Sequence, residues 1–197
     1  MGQMALFGRL EAPSFDASFS RLERIVLDDG AWIDLAREWL SGHEHVYRDL
    51  LHAVPWRAER RVMYEKEVDV PRLYGELGSD EKSLPVIEEM RTALDAHYRC
   101  SFARTSFALY RDGKDSVAWH GDYVAREMSE AIVATVSVGA PRRFLLRRTG
   151  GGPSLAFSLG WGDLLVMGGT CQRTYQHAIP KVRQAHPRIS IMLRPNW

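Results

Sequence analysis

Cysteine is scarce: 2 in 197 residues, Cys100 and Cys171. That count excludes a disulfide framework and a cysteine-built zinc site, and it suits a reducing cytosol. A charge excess of either sign is also missing. Lys and Arg total 26 against 25 Asp and Glu, a formal net charge of +1, so nothing global advertises a polyanion or a membrane surface. Any such partner needs a local patch. No apolar run is long enough to span a bilayer. The opening MGQMALFGRLEAPSF lacks the charged start, long apolar stretch and cleavage pattern of a secretory signal. The expectation is a cytoplasmic protein that uses no membrane and works as a monomer. What is present is 45% hydrophobic residues, enough for a sizeable core, and we read residues 1–197 as one domain.

Two segments carry helical periodicity. In DDGAWIDLAREWLSG, Trp32, Leu35, Ala36, Trp39 and Leu40 recur at three and four residues, with acids ahead and Gly42 near the end, which predicts a helix packed on the core. In SLPVIEEMRTALDAHY, Ser83 is the expected cap, Pro85 falls in the first turn, and Leu84, Ile87, Met90 and Leu94 share a face. Between them RRVMYEKEVDVPRLYGELGSDEK, with Pro71 as a breaker, reads as a short hairpin or mobile loop. After about residue 103 the texture changes. SFALY, AIVATVSVG, RFLLRR, SLAFSLG, DLLVMGG and RISIMLRP are strand-length apolar pieces separated by turn signals such as RDGKD, GAP and TGGGP. Strands in series without helices between them predict a β-sandwich or jelly roll. The fold class is therefore α+β, with a helix-rich support and lid over 1–100 and a β-rich core over 101–197.

The stretch DSVAWHGDY places His120 and Asp122 two residues apart, a spacing that puts both side chains on one face of an extended strand. Alone, such a pair is as readily a surface hydrogen-bonding pair. One more neutral imidazole would complete the two-His, one-carboxylate set of non-haem Fe(II) oxygenases. His43, His45, His52 and His97 fall in helical or loop segments, and His186 precedes Pro187 in a polar turn. His177, after DLLVMGG and CQRTYQ, is placed where a second strand could bring it to the first pair. Further on, Arg188 and Arg194 lie six residues apart on one face of the otherwise apolar RISIMLRP. Two guanidinium groups beside Ile and Leu are costly to bury unless anions meet them. A dicarboxylic acid would do so, since Arg pairs bidentately with carboxylate.

In LYRDGKDSVAWHGD, VSVGAPRRFLLRR, WGDLLVMGGTCQRTYQHAIPK and RISIMLRP the chain resembles the AlkB family of Fe(II)- and 2-oxoglutarate-dependent dioxygenases, over roughly residues 62 to 195. The resemblance implies a double-stranded β-helix, with Fe(II), 2-oxoglutarate and O2 as cofactors and cosubstrates. It makes His120, Asp122 and His177 the iron ligands and catalytic centre. Tyr110 would hydrogen-bond the 2-oxoglutarate, Arg188 would hold its distal carboxylate, and Arg194 would lie near the end that chelates iron. Such cofactors carry the oxidative chemistry, and the protein supplies aim and exclusion of water.

The resemblance also implies a substrate: N-alkylated nucleobases in DNA and possibly RNA, oxidatively demethylated in alkylation damage repair. A duplex base is out of reach, so the partner is expected to be single-stranded or to have its base flipped. Tyr64 and Tyr74 are the candidate base stackers and Trp56 a third, although aromatics in such a segment also serve as core anchors. Arg57, Arg60 and Arg61, and Arg142, Arg143, Arg147 and Arg148, are the dense basic patches open to phosphate contact. Strand alternation divides the second patch between two faces. The chain departs from the family at Ala108, where an Asn often donates to the cosubstrate, and at Met192, often Thr. Tyr123 and Val124 stand where some members carry base-reading acids. Asp163 reads as a turn residue, and Gln172, Arg173 and Tyr175 as candidates to shape the mouth. Two other readings stay open: a hydroxylase of a non-nucleic-acid substrate on the same scaffold, and a binding module that keeps the scaffold without chemistry.

Overall fold

The computed structural model describes residues 12–63, 66–77, 84–122, 128 and 130–195, with 59–63 and 66–69 described by backbone alone. Strands β1 (Ser14–Phe15) and β2 (Glu23–Val26) lead through a 3-10 turn at Asp28–Gly30 into β3 (Ala31–Ala36) and β4 (Leu40–Ser41). Helix α1 (His43–Ala53) follows, then the hairpin of β5 (Arg57–Met63) and β6 (Lys66–Gly75), and helix α2 (Pro85–Tyr98). The C-terminal half runs β7 (Arg104–Tyr110), β8 (Val117–His120), β9 (Val133–Gly139), β10 (Arg142–Arg148), β11 (Ser154–Leu159), β12 (Asp163–Gly169), the single turn α3 (Cys171–Thr174), β13 (Tyr175–Ile179) and β14 (Arg188–Arg194).

An 8-stranded sheet has the order β2-β3-β12-β9-β14-β7-β6-β5, and a 4-stranded sheet the order β11-β10-β13-β8. Pairings in both are antiparallel, and β1 pairs with β4 apart from them. Two cores result. Ile87, Met90 and Leu94 of α2 and Val46 and Leu50 of α1 pack with Val136, Val138, Ile189, Ile191 and Leu193 on the outer face of the large sheet. Tyr110, Phe144, Leu146, Leu159, Leu165 and Met192 fill the space between the two sheets. Along β14 the alternation is complete: Ile189, Ile191 and Leu193 face the helices, while Arg188, Ser190, Met192 and Arg194 take the opposite face. The architecture is a double-stranded β-helix with two helices laid on its large sheet, as the turn spacing of the C-terminal half predicts.

Three expectations need correction. The segment expected to be a helix from Trp32 to Leu40 is strand β3 followed by a turn and β4. β3 lies between β2 and β12 and is covered on both sides, with Ala31, Ile33 and Leu35 in the inter-sheet core and Ala36 in the helix-side core. A strand buried on both faces is apolar almost throughout, and such a run mimics helical spacing. The N-terminal half is consequently not helix-rich: it holds β1 to β6 beside α1 and α2. The third concerns Arg142, expected in a phosphate-binding patch; it is buried. Ser83, the expected cap of α2, lies outside the described residues; the described helix starts from Leu84 with Pro85 in its first turn. The hairpin alternative for the intervening segment is the one observed.

Candidate active site

β8 and β13 pair so that His120 stands opposite His177, with a register shift before Ile179 meets Val117. The imidazole centroids are 4.3 Å apart, and Phe144 stacks on His177 at 5.3 Å and 15°. His120 Nδ1 lies 2.8 Å from the Ala118 carbonyl oxygen. A nitrogen facing a carbonyl must carry the proton, which puts the lone pair on Nε2. Burial pushes the His177 imidazole down to about 3, with His120 beside it adding to the shift. The His177 ring therefore presents the neutral form that binds a metal.

Asp122 follows after Gly121, at which a Cβ would meet the Gln172 carbonyl oxygen at 2.8 Å. Only glycine lets the chain pass there. The amide of Asp122 donates to Gln172 Oε1 at 3.1 Å, and its carboxylate receives Arg194 Nη2 at 3.3 Å and Nε at 3.4 Å. Burial alone would raise the Asp122 carboxyl, but the charge and hydrogen bonds of Arg194 hold it below the ordinary value. Among the described residues no three His, Cys, Asp or Glu side chains are drawn up as a finished metal cage. The donor set nevertheless fits the ion. By donor type, the imidazoles of His120 on β8 and His177 on β13 with the carboxylate of Asp122 in the turn after β8 are the Fe(II) oxygenase combination.

The inner face of β14 carries two arginines, Arg188 and Arg194. Arg188 is fully buried, and its Nη2 donates to Ser137 Oγ at 2.6 Å and Ser190 Oγ at 3.4 Å. Its Nε and Nη1 have no hydrogen-bond partner among the described residues. Burial pushes the guanidinium down to about 10, so it stays charged at neutral pH. A buried cation with two unsatisfied N–H groups is costly, and a carboxylate is the group that matches it. The Tyr110 ring lies 5.5 Å away. At the other end of β14, Arg194 Nη1 donates to Ser106 Oγ at 2.8 Å. By charge and donor type, two arginines at the two ends of one strand face suit a dicarboxylate.

Arg142 donates to the carbonyl oxygens of Asp112 at 2.7 Å, Asp115 at 2.8 Å and Pro180 at 3.0 Å, and so clamps the loop between β7 and β8. Arg143 is exposed, Arg147 is half-buried with its guanidinium 3.9 Å over the Trp119 ring, and Arg148 pairs with Asp28 and Asp29. Trp56 packs on the helix-side core and donates its indole N–H to Leu51 O at 3.1 Å. It is not brought to the cleft, which corrects its assignment as a base stacker. Tyr74 does reach the inner side, where its hydroxyl donates to Glu76 and meets Ser106. Tyr64, Tyr123 and Val124 lie outside the described residues. Asp163 is a turn residue as expected, accepting from Glu38 N at 2.9 Å, Gly160 N at 3.2 Å and Arg37 at 2.8 Å. Sequence reasoning missed Arg72, Ser106 and Ser137. A usable signal existed for the serines, each a small polar residue on the inner alternation of a largely apolar strand, Ser106 in line with Ala108 and Tyr110 and Ser137 in line with Val133 and Thr135.

These features together define a 2-oxoglutarate-type Fe(II) oxygenase scaffold. The profile of the 2OG-Fe(II) oxygenase superfamily matches residues 81–194, and the chain belongs to that superfamily. Its requirements are Fe(II), 2-oxoglutarate and O2. The AlkB resemblance holds in comparison with curated proteins. "Alpha-ketoglutarate-dependent dioxygenase alkB homolog 3" of Bos taurus is 28% identical over 177 residues, covering 79% of this chain and 62% of the relative. The Homo sapiens counterpart is 27% identical over 171 residues, covering 76% and 60%. The chain thus spans about three fifths of the length of these relatives. Among solved structures, "The structure of OsALKBH1" superposes with a TM-score of 0.63 at 13% identity, covering 88% of this chain and 100% of that one. A 2OG-Fe(II) oxygenase family oxidoreductase from Burkholderia pseudomallei gives 0.56 at 16% identity, covering 90% and 87%. Both likenesses concern the fold. Among the described residues no helix is long and apolar enough to cross a membrane.

Proposed function

We propose that this chain is an oxidative demethylase of N-alkylated nucleobases, in DNA and possibly RNA, acting on single strands or on a flipped base. The observation that carries the cosubstrate half of this reading is Arg188, fully buried with two N–H groups unmet. His120 and His177, opposed across β8 and β13, and Asp122 would hold the iron. Arg188 would receive the distal carboxylate of 2-oxoglutarate, Tyr110 would donate to it, and Arg194 would steady Asp122 and the chelating end. When bound, these groups supply oxidation of the N-methyl carbon by O2 as 2-oxoglutarate becomes succinate and CO2; the hydroxymethyl product then releases formaldehyde and the repaired base. Phe144, buried and stacked on His177, would shield that ring from bulk water. The nucleic-acid half rests on the AlkB relatives.

The test supplies Fe(II), 2-oxoglutarate and O2 with and without an oligonucleotide carrying a methylated adenine or cytosine. Succinate that rises with the oligonucleotide, alongside loss of its methyl mass, supports the reading. Succinate formed equally without it, with the methyl retained, overturns the substrate and directs attention to a hydroxylase of another compound.

A further inference from the structure

Two residues of β6 reach the cosubstrate cleft from outside the core strands. Leu73 is the register partner of Leu109 and Tyr74 of Ala108, so the next position, Arg72, falls beside Tyr110. Arg72 is buried, and its Nη1 donates to the Tyr110 hydroxyl at 3.1 Å. The carbonyl of Pro71 accepts Ser116 N at 2.6 Å, which pins the same strand to the loop ahead of β8. Tyr74, on the same face, meets Ser106, which in turn receives Arg194. The inner strand of the hairpin thus touches the groups at both ends of the proposed 2-oxoglutarate site.

The donor inventory gives the Arg72 contact a direction. A guanidinium cannot accept a hydrogen bond, so the Tyr110 oxygen must be the acceptor, and its own proton points elsewhere. With Arg142 and Arg188 at 5.6 Å and 5.5 Å from the Tyr110 ring, the acceptor that fits this proton is an anionic ligand rather than another protein cation. A cation donating to the hydroxyl oxygen also makes that proton a stronger donor. Packing alone would not call for a guanidinium here, since an apolar side chain of similar size avoids the desolvation cost.

We propose that Arg72 is a positioning residue for the cosubstrate. It holds the Tyr110 hydroxyl so that its proton is offered to 2-oxoglutarate, and because Arg72 is carried on β6, cosubstrate binding depends on the seating of the β5–β6 hairpin. The inference rests on Tyr110 binding 2-oxoglutarate, as set out above.

The experiment compares wild type, Arg72→Gln, Arg72→Lys, Tyr110→Phe and the Arg72→Gln/Tyr110→Phe double variant. 2-Oxoglutarate is titrated calorimetrically into the Mn(II)-loaded proteins, and KM and kcat are measured with Fe(II). Arg72→Gln is expected to weaken 2-oxoglutarate binding and raise its KM about tenfold, with kcat changing less. Tyr110→Phe should do much the same, the double variant should bind no more weakly than Tyr110→Phe alone, and Arg72→Lys should recover part of the loss. If Arg72→Gln melts before assay temperature, Arg72→Lys carries the comparison. Wild-type affinity in the Arg72 variants, or losses that multiply in the double variant, overturns the inference while leaving the cosubstrate site standing. Wild-type protein that takes up no 2-oxoglutarate overturns the site and the inference together.

Discussion

His120 and His177 face each other as register partners of β8 and β13, with their ring centroids 4.3 Å apart. Backbone pairing, not a flexible loop, sets their separation, so two of the three proposed ligands are preorganised before any ion arrives. Replacing either by alanine removes a ligand the scaffold cannot replace. His177→Ala and His120→Ala are each expected to lower metal affinity by more than about a hundredfold, with the melting temperature little changed. Equilibrium dialysis against Fe(II) under nitrogen reads the first quantity and a thermal melt the second. A variant that still retains stoichiometric iron would remove that histidine from the site.

The orphaned N–H groups of Arg188 make a different forecast, about stability. Ligand that binds only the native state stabilises it by RT ln(1 + [L]/Kd), about 2.7 kcal/mol at a hundredfold excess over Kd. Wild type should therefore melt higher when 2-oxoglutarate is added. Arg188→Met loses the carboxylate partner, and it also removes a buried charge with two unmet donors. Its own melting temperature should match or exceed that of the ligand-free wild type, and 2-oxoglutarate should no longer move it. A variant that still shifts with 2-oxoglutarate would take Arg188 out of the cosubstrate site.

The legibility of this chain tracks which faces of each strand are covered. β14 was readable because its outer positions, Ile189, Ile191 and Leu193, are apolar while two of its inner positions are arginines, so alternation alone exposed the site. β3 was misread because Ile33 and Leu35 bury on one face and Ala36 on the other, and a doubly buried strand has lost its period. Arg142 was misread for a related reason: sequence divides β10 into two faces without saying which one is covered. Arg72 was hidden behind Pro71, whose missing N–H argues against a strand. The structure tolerates it because Pro71 contributes its carbonyl, to Ser116 N, at a place where β6 has not yet begun its pairing with β7.

Asp16 gives a pH prediction far from the site. Its carboxylate accepts from the hydroxyls and amides of Ser18 and Ser20. These bonds, the Ser18 hydroxyl first, lower it from 3.8 to about 2. A folded-state value below the unfolded one means the unfolded chain takes up the proton first. The contribution is therefore complete above the unfolded value and is lost as pH falls from about 3.8 through about 2. Asp16→Asn should be less stable than wild type in urea at pH 7, and the gap between their midpoints should close across that acid window. A gap that stays constant down to pH 2 would mean the turn draws nothing from the charge.

Gly121 sits between the two proposed ligands of the H-x-D pair, and its surroundings leave no room for a side chain. A Cβ there would stand 2.8 Å from the carbonyl oxygen of Gln172, a backbone atom at the start of the segment that leads into β13. Gln172 cannot retreat freely, since its side chain also holds the Asp122 amide at 3.1 Å. In Gly121→Ala the conflict must be relieved by moving the turn after β8, and Asp122 moves with it. His120, fixed by pairing to His177, stays behind. The expected result is a folded protein whose two imidazoles remain opposed but whose carboxylate is displaced, with metal affinity down by roughly ten- to a hundredfold. 2-Oxoglutarate contacts at Arg188, on the far end of β14, should suffer less. Metal titration and thermal melting of Gly121→Ala decide it: unchanged metal affinity would show that Asp122 is not held to its place by the close passage of Gly121 against Gln172.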